Sequence, residues 1–362
     1  MYSYLAKRVF LIIPTLFIIM LINFAIIQTA PGGPVEKLLS SLNDSTNVAS
    51  EISNQNFNSN FTNNQPNYNQ EYISSYGIDP EIISQIEKDY GFDKPFLTRF
   101  FLTLKKFITF DFGSSFYQDK KVTELLLEKM PVSISLGLWT TLIIYAVSIP
   151  LGIKKAVKDG TKFDIWSSTI VIICNAIPSF LFAILLIVLF AGGNFFNIFP
   201  LRGLTSPNFS ELSIFAKILD YFWHLCLPII SMVIGGFASL TFFVKNSFIE
   251  EINKQYVTTA YAKGLREKQI LYKHVFRNAM MIIVAGLPAS LIGIFFTNSM
   301  LIEIIFSLDG LGLMGYEAVI NRDYPIIFAT LYIFTLLGLI MNIISDISYK
   351  LVDPRVNFES SR

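Results

Sequence analysis

Residues 256–265 read Tyr256-Val-Thr-Thr-Ala-Tyr-Ala-Lys-Gly-Leu265, and residues 275–279 read Val275-Phe-Arg-Asn-Ala279. Both stretches lie in a segment, 248–279, too polar to cross a bilayer and too regularly patterned to be a plain tether. Tyr256, Thr259, Ala260 and Lys263 recur at helical spacing. Gly264 then permits a helix C-cap or a sharp turn. Leu265, Ile270, Leu271, Val275 and Phe276 resume a helical apolar stripe beyond it. The pattern predicts two short helices meeting at Gly264. Thr259, Ala260 and Ala262 are small enough to let another backbone approach closely. On periodicity alone two readings stand: a basic amphipathic pair lying on the lipid surface, or a docking surface for a separate subunit.

On either side of this loop the chain is apolar. Of its 362 residues, 52% are hydrophobic and only 15% charged; an ordinary soluble domain carries about 25% charged residues. A bilayer core about 30 Å thick needs roughly 20 apolar residues as helix. Six segments qualify: 9–30, 132–153, 165–192, 225–244, 279–302 and 326–344. None contains Asp, Glu, Lys or Arg. Backbone polar groups in lipid must be satisfied within the segment, so each is expected to be helical. The first follows Lys7-Arg8 as a signal peptide would, but its run exceeds the usual h-region of about 7–15 residues, and it reads as a retained span. The fold class is therefore an all-α membrane protein with six transmembrane helices.

Lys and Arg in short loops set the orientation. One side holds Lys7, Arg8, Lys154, Lys155, Lys158, Lys162, the basic residues of 248–279, Lys350, Arg355 and Arg362. The short loops of the other side hold Arg202, Lys217 and Arg322. Both termini and the 248–279 loop are expected in the cytoplasm. The chain divides into residues 1–30, an outward segment 31–131, a core 132–350 and a tail 351–362. Within the outward segment, 43–76 is rich in Asn, Ser and Gln; it lacks the apolar surface to offset its ordering entropy and is expected to be flexible. Asp79-Pro80-Glu81 is a good helix start, and 95–110 and 121–130 look like two further amphipathic helices.

The loop resembles the "EAA" loop of ABC importer permeases, most closely that of the oligopeptide/dipeptide permeases. The wider pattern has Glu-Ala-Ala before the glycine; this chain has Thr258, Thr259 and Ala260 there, so the glutamate is absent. The resemblance extends along nearly the whole chain: Ala30-Pro31-Gly32-Gly33-Pro34, Tyr90-Gly-Phe-Asp-Lys-Pro95, Asp111-Phe-Gly-Ser-Ser115, Ile304-Ile-Phe-Ser-Leu-Asp-Gly-Leu-Gly312, Arg322-Asp-Tyr-Pro325 and Asp353-Pro-Arg355. The long first outward segment, with Phe199-Pro-Leu-Arg-Gly203, is similar to the subgroup tied to microcin C and related peptides.

That resemblance implies the type I importer permease fold. It also implies a cytosolic coupling helix, made of Tyr256, Thr259, Ala260, Ala262, Lys263, Gly264 and Leu265, seated on an ATPase subunit. The implied partners are a second homologous permease, two cytosolic ATPases that bind ATP and Mg, an extracytoplasmic peptide-binding protein and the lipid of the inner membrane. No cofactor, catalytic residue or metal is expected on this chain: it has no phosphate-binding G-x-x-x-x-G-K-[ST] loop. Its net charge of +1 gives no pull towards nucleic acid. Polar residues in or beside the spans are candidates for lining a substrate path: Asn23, Gln28, Asn175, Ser179, Asn298, Ser299, Glu303 and Asn342. The competing role for each is interhelical hydrogen bonding. Alternative readings are a nickel or other small-solute importer of the same architecture, and a secondary transporter needing no motor. Removing residues 47–69 should leave uptake intact; lost uptake at normal expression would show that this stretch has a function.

Overall fold

The structure, a computed structural model, describes residues 2–29, 95–293 apart from 116, 119, 193 and 194, and 299–352. The expected flexible stretch 43–76, the helix start at Asp79 and the path candidate Asn298 lie outside the described residues. Among those described, the regular structure is helical. In chain order the helices are α1 (Tyr2–Thr29), α2 (Phe96–Ile108), α3 (Val122–Val157), α4 (Lys162–Ala176), α5 (Ser179–Phe190), α6 (Ile214–Ile252), α7 (Gln255–Ala262), α8 (Glu267–Ile270), α9 (Phe276–Gly293), α10 (Ser299–Ile305), α11 (Leu311–Asn321) and α12 (Tyr324–Val352). A five-residue π-helical turn, Leu271–Val275, joins α8 to α9. Among the described residues five helices are long and apolar enough to cross a membrane, six if the bent pair α4–α5 is one span.

Two expectations need correction. The third span, 165–192, is not one rod: α4 and α5 meet at 89°. Pro178 is the N-cap of α5, and the residue before a proline is sterically driven out of the helical region. Ile177 accordingly sits at φ −86°, ψ 118°. The outward helix 121–130 and the span 132–153 are one continuous helix, α3, which contains Pro131 and Pro150. At about 54 Å it is much longer than a bilayer core. The polar start of α3 is held in place: Lys129 pairs with Asp309, and buried Ser133 accepts a hydrogen bond from Leu311 N at 2.9 Å. The proposed division at residue 131 thus falls inside a helix.

The chain forms two compact units. The first comprises Met1–Ile13, Leu126–Tyr316 and Ile333–Arg362; the second comprises Pro14–Leu125 and Glu317–Tyr332. Aromatic rings cement the second. Phe24 meets Phe96 at 5.2 Å and Phe100 at 5.6 Å, and stacks on Phe328 at 5.6 Å. Phe107 meets Phe112 at 5.0 Å and Tyr332 at 5.7 Å. Beside these rings, Ser115 Oγ donates to Asp323 Oδ2 at 2.5 Å.

The first unit has two apolar clusters. One joins α3, α5, α6 and α10 through Leu136, Ala183, Leu225, Met232 and Ile302. The other collects Ala156, Val244, Phe248, Val257, Ala260, Ile270, Val275, Ala279 and Ile283. It therefore includes the buried face of the 248–279 loop. In this second cluster α3 and α6 approach very closely. A Cβ on Gly152 would lie 2.6 Å from Val244 Cβ and 2.8 Å from Thr241 O. A side chain there would force the two helices apart, at a cost of about 1–3 kcal/mol. Gly152→Val should lower the unfolding temperature of the detergent-solubilised protein by several degrees. Gly338→Ala, at a site with nothing within 4 Å, should not; equal stability of both variants would contradict the close crossing.

Candidate functional site

The 248–279 segment is a folded element with an inner and an outer face. On the inner face Val257 is 2% exposed, Ile270 1%, Val275 1% and Ala279 2%. The outer face carries Thr258, Thr259, Tyr261, Ala262 and the whole run 263–269, all exposed. Gly264 makes the corner. Its φ is +77°, and the space around it is open, so conformation rather than crowding calls for glycine. Gly264 N donates to Tyr261 O at 2.9 Å and Leu265 N to Ala260 O at 3.3 Å. This pair of bonds is the Schellman closure of a helix, which satisfies the final carbonyls of α7. After the corner, Gln269 Oε1 accepts from Arg266 N at 3.4 Å, and α8 begins.

What fixes the loop is a carboxylate. Glu251, on the last turn of α6, is 7% exposed. Its Oε1 accepts from Tyr256 Oη at 2.8 Å and from Asn278 Nδ2 at 2.9 Å. Its Oε2 accepts from Lys254 Nζ at 2.5 Å. One carboxylate thus ties together the end of α6, the start of α7 and the start of α9. Burial, reinforced by the bond to Glu251, pushes the Tyr256 phenol up to about 12, so it stays a donor at any physiological pH. The hydrogen bond to Glu251 likewise raises the Lys254 ammonium above its ordinary value. A second tie runs from Ser247 Oγ to Ala279 O, 2.9 Å. Removing the shared acceptor leaves half-buried Tyr256 and exposed Asn278 without their common partner.

The coupling residues expected from sequence divide between the faces. Thr259, Ala262, Lys263, Gly264 and Leu265 are exposed; Ala260 is buried and Tyr256 is turned into the Glu251 network. Exposed Tyr261 and Tyr272, 49% and 61% accessible, belong to the outer surface and were not singled out by the sequence. The Glu251–Asn278 pairing was also missed. Its only signal was a polar residue at each end of the loop, 27 positions apart.

The described path candidates lie on several helices. Asn23 lies half-buried on α1, Asn175 is exposed near the α4–α5 bend, and Asn342 is exposed on α12. Gln28 lies near the end of α1 and Ser299 at the start of α10. Ser179 begins α5 and faces Gly235 of α6, where a Cβ would sit 3.4 Å from Ser179 Cβ. Glu303, expected along the path, is 0% exposed. Its Oε1 accepts from Ser133 Oγ and its Oε2 from Leu313 N, each at 2.8 Å. It caps the start of α11, and Gly310 leaves room for it: a Cβ there would lie 2.5 Å from the carboxylate carbon.

The described residues thus form a set of apolar helices of membrane-spanning length with a folded, anchored loop between two of them. Residues 148–358 match the binding-protein-dependent transport system inner membrane component family, and the chain belongs to it. The inner membrane ABC transporter permease protein YejB of Escherichia coli O157:H7 is 54% identical over 360 residues, covering 99% of each chain. The peptidoglycan transport system permease protein YejB of Agrobacterium fabrum is also 54% identical, over 358 residues, covering 99% of this chain and 98% of that protein. The oligopeptide transport system permease protein AppB of Bacillus subtilis is 29% identical over 366 residues, covering 99% of this chain and all of that protein. Among solved structures, a chain of the inward-facing MetNI methionine ABC transporter aligns with a TM-score of 0.50 at 18% identity, covering 64% of this chain and 97% of that one; that likeness concerns the fold alone.

Replacing Glu251 by Ala leaves half-buried Tyr256 and exposed Asn278 without their shared acceptor, at a cost of about 1 kcal/mol per hydrogen bond. Trypsin should then cut at Lys254 and Lys263 markedly faster than in the parent protein under native conditions. Unchanged cleavage would show that the carboxylate does not hold the loop.

Proposed function

We propose that this chain is the permease subunit of an ATP-driven importer that moves oligopeptides or peptide-like compounds across the inner membrane. The observation that carries this reading is the anchored 248–279 loop, with its inner face in the core and its outer face free. Its small exposed residues, Thr259 and Ala262, suit close approach by another backbone. Its exposed Lys263, Arg266, Lys268 and Lys273 fit the Lys/Arg excess of cytoplasmic loops, which supports a cytoplasmic loop and cytoplasmic termini. The family match and the peptide and peptidoglycan permeases among the relatives support the peptide class over nickel or another small solute.

In this reading two ATPase subunits close on ATP and Mg, and the outer face of the loop moves with them. A second, homologous permease supplies the other half of the path, and an extracytoplasmic binding protein delivers the peptide. No bond of the substrate is made or broken on this chain. Transport then depends on contacts that differ between two conformations. Loop movement reaches the spans through Glu251, because α6 and α9 flank the loop and share that carboxylate.

Gly264 gives the sharpest test. Proline fixes φ near −65°, whereas the corner needs +77°, and the N–H donated to Tyr261 O is lost as well. In the reconstituted complex, Gly264→Pro should abolish peptide-stimulated ATP hydrolysis while the chain still inserts into the membrane. Gly264→Ala, strained by about 1–2 kcal/mol, should retain an intermediate response. Normal stimulation in the proline variant would sink the docking role of the loop.

A further inference from the structure

A second set of buried charges lies in the same unit, and neither the loop nor the path accounts for it. Lys155, near the end of α3, has a side chain that is 0% exposed. Its Nζ lies 3.1 Å from Asp164 Oδ1 and donates to Ser167 Oγ at 2.9 Å and Ser168 Oγ at 2.6 Å, all on α4. It also faces the Phe242 ring of α6 at 5.6 Å. The other oxygen of Asp164 accepts from Lys245 Nζ of α6 at 2.7 Å. Lys245 further reaches Asp159 in the turn between α3 and α4, at 2.8 Å. Two ammonium groups thus meet two carboxylates, and three helices meet at one point. Counted from sequence, Lys155 was only a marker of the cytoplasmic side; in the structure it is a fully buried partner.

A buried ion pair is poor evidence for stability, since apolar replacements of equal size are often neutral or stabilising. What it supplies is a directional constraint. The apolar contacts between α3 and α6, such as Val244 over Gly152, resist approach but permit sliding. An ammonium held between two carboxylates resists both. Lys245 is six positions before Glu251 on the same helix, about 9 Å along its axis. The end of α6 is therefore bonded to the loop at Glu251 and to the α3–α4 hairpin at Lys245.

We propose that Lys245, with Asp164 and Lys155 behind it, is a positioning residue that carries movement of the 248–279 loop into the α3–α4 hairpin. This rests on the reading of the chain as a motor-driven permease. The link is separable from folding. Lys245→Met leaves the buried Lys155–Asp164 pair balanced, and the Asp159 side chain is 54% exposed and can be solvated.

The experiment uses the assembled complex in lipid, with ATP hydrolysis read with and without peptide. Lys245→Met should keep the unfolding temperature within about 2 °C of the parent and keep basal hydrolysis. It should cut the peptide-stimulated increment about tenfold, and Lys245→Arg should restore it. An unchanged increment in Lys245→Met, alongside loss in Gly264→Pro, would overturn the link while leaving the permease reading intact. A large drop in unfolding temperature that Lys245→Arg does not repair would assign the cluster to stability alone and overturn the link too. Failure of the parent complex to respond to peptide would instead remove the reading beneath it.

Discussion

The 248–279 loop depends on the buried carboxylate of Glu251. A surface loop of short helices between two spans has little reason to hold one shape, because isolated helices of four to eight residues are unstable in water. Here α7 has eight residues and α8 four. They are stable because their inner residues join the cluster around Phe248 and Ile283, and because Tyr256 and Asn278 converge on Glu251. Without an acceptor at that position, the ends of α6 and α9 would lose their common tie. The outer face would then have no fixed base from which to receive or transmit a push.

α6 is the spine of this arrangement. It carries Met232 and Leu225 in one apolar cluster and Val244 and Phe248 in the other. It also bears both polar anchors, Lys245 and Glu251. Ser148 Oγ of α3 donates to Phe237 O of α6 at 2.9 Å, so even the mid-section is tied by a hydrogen bond as well as by packing. Glu303 performs a comparable task elsewhere in the same unit, holding the start of α11 against α3. Each buried carboxylate is thus assigned to a junction between helices, where its several acceptor sites can serve donors from more than one element.

Features set by local chemistry were legible in the sequence. The corner at Gly264 could be placed because only glycine takes a positive φ there at low cost, and the helical stripes on either side followed from spacing. The number of apolar stretches was equally plain. The α4–α5 bend was hidden because the residues on either side of it, 170–174 and 180–190, are a nearly unbroken apolar run, so periodicity carried no information about direction. Pro178 resembled Pro150 and Pro228, which remain inside helices; only the extended backbone at Ile177 distinguishes it. The Glu251 network and the Lys155–Asp164–Lys245 cluster were not legible, since each joins residues far apart in sequence. Glu303, a polar residue beside a span, caps a helix start through bonds to Ser133 and Leu313, neither of which is near it in sequence.

The central claim is that the loop offers one fixed face to an ATPase subunit. Site-specific photo-crosslinking in the intact complex tests it most directly. Crosslinkers placed singly at Tyr261 and Leu265 should capture an ATPase subunit, while one at Val319, 59% exposed on α11 and on the opposite side of the membrane in the proposed orientation, should not. Absence of any ATPase adduct from Tyr261 and Leu265, with the complex intact, would contradict the account.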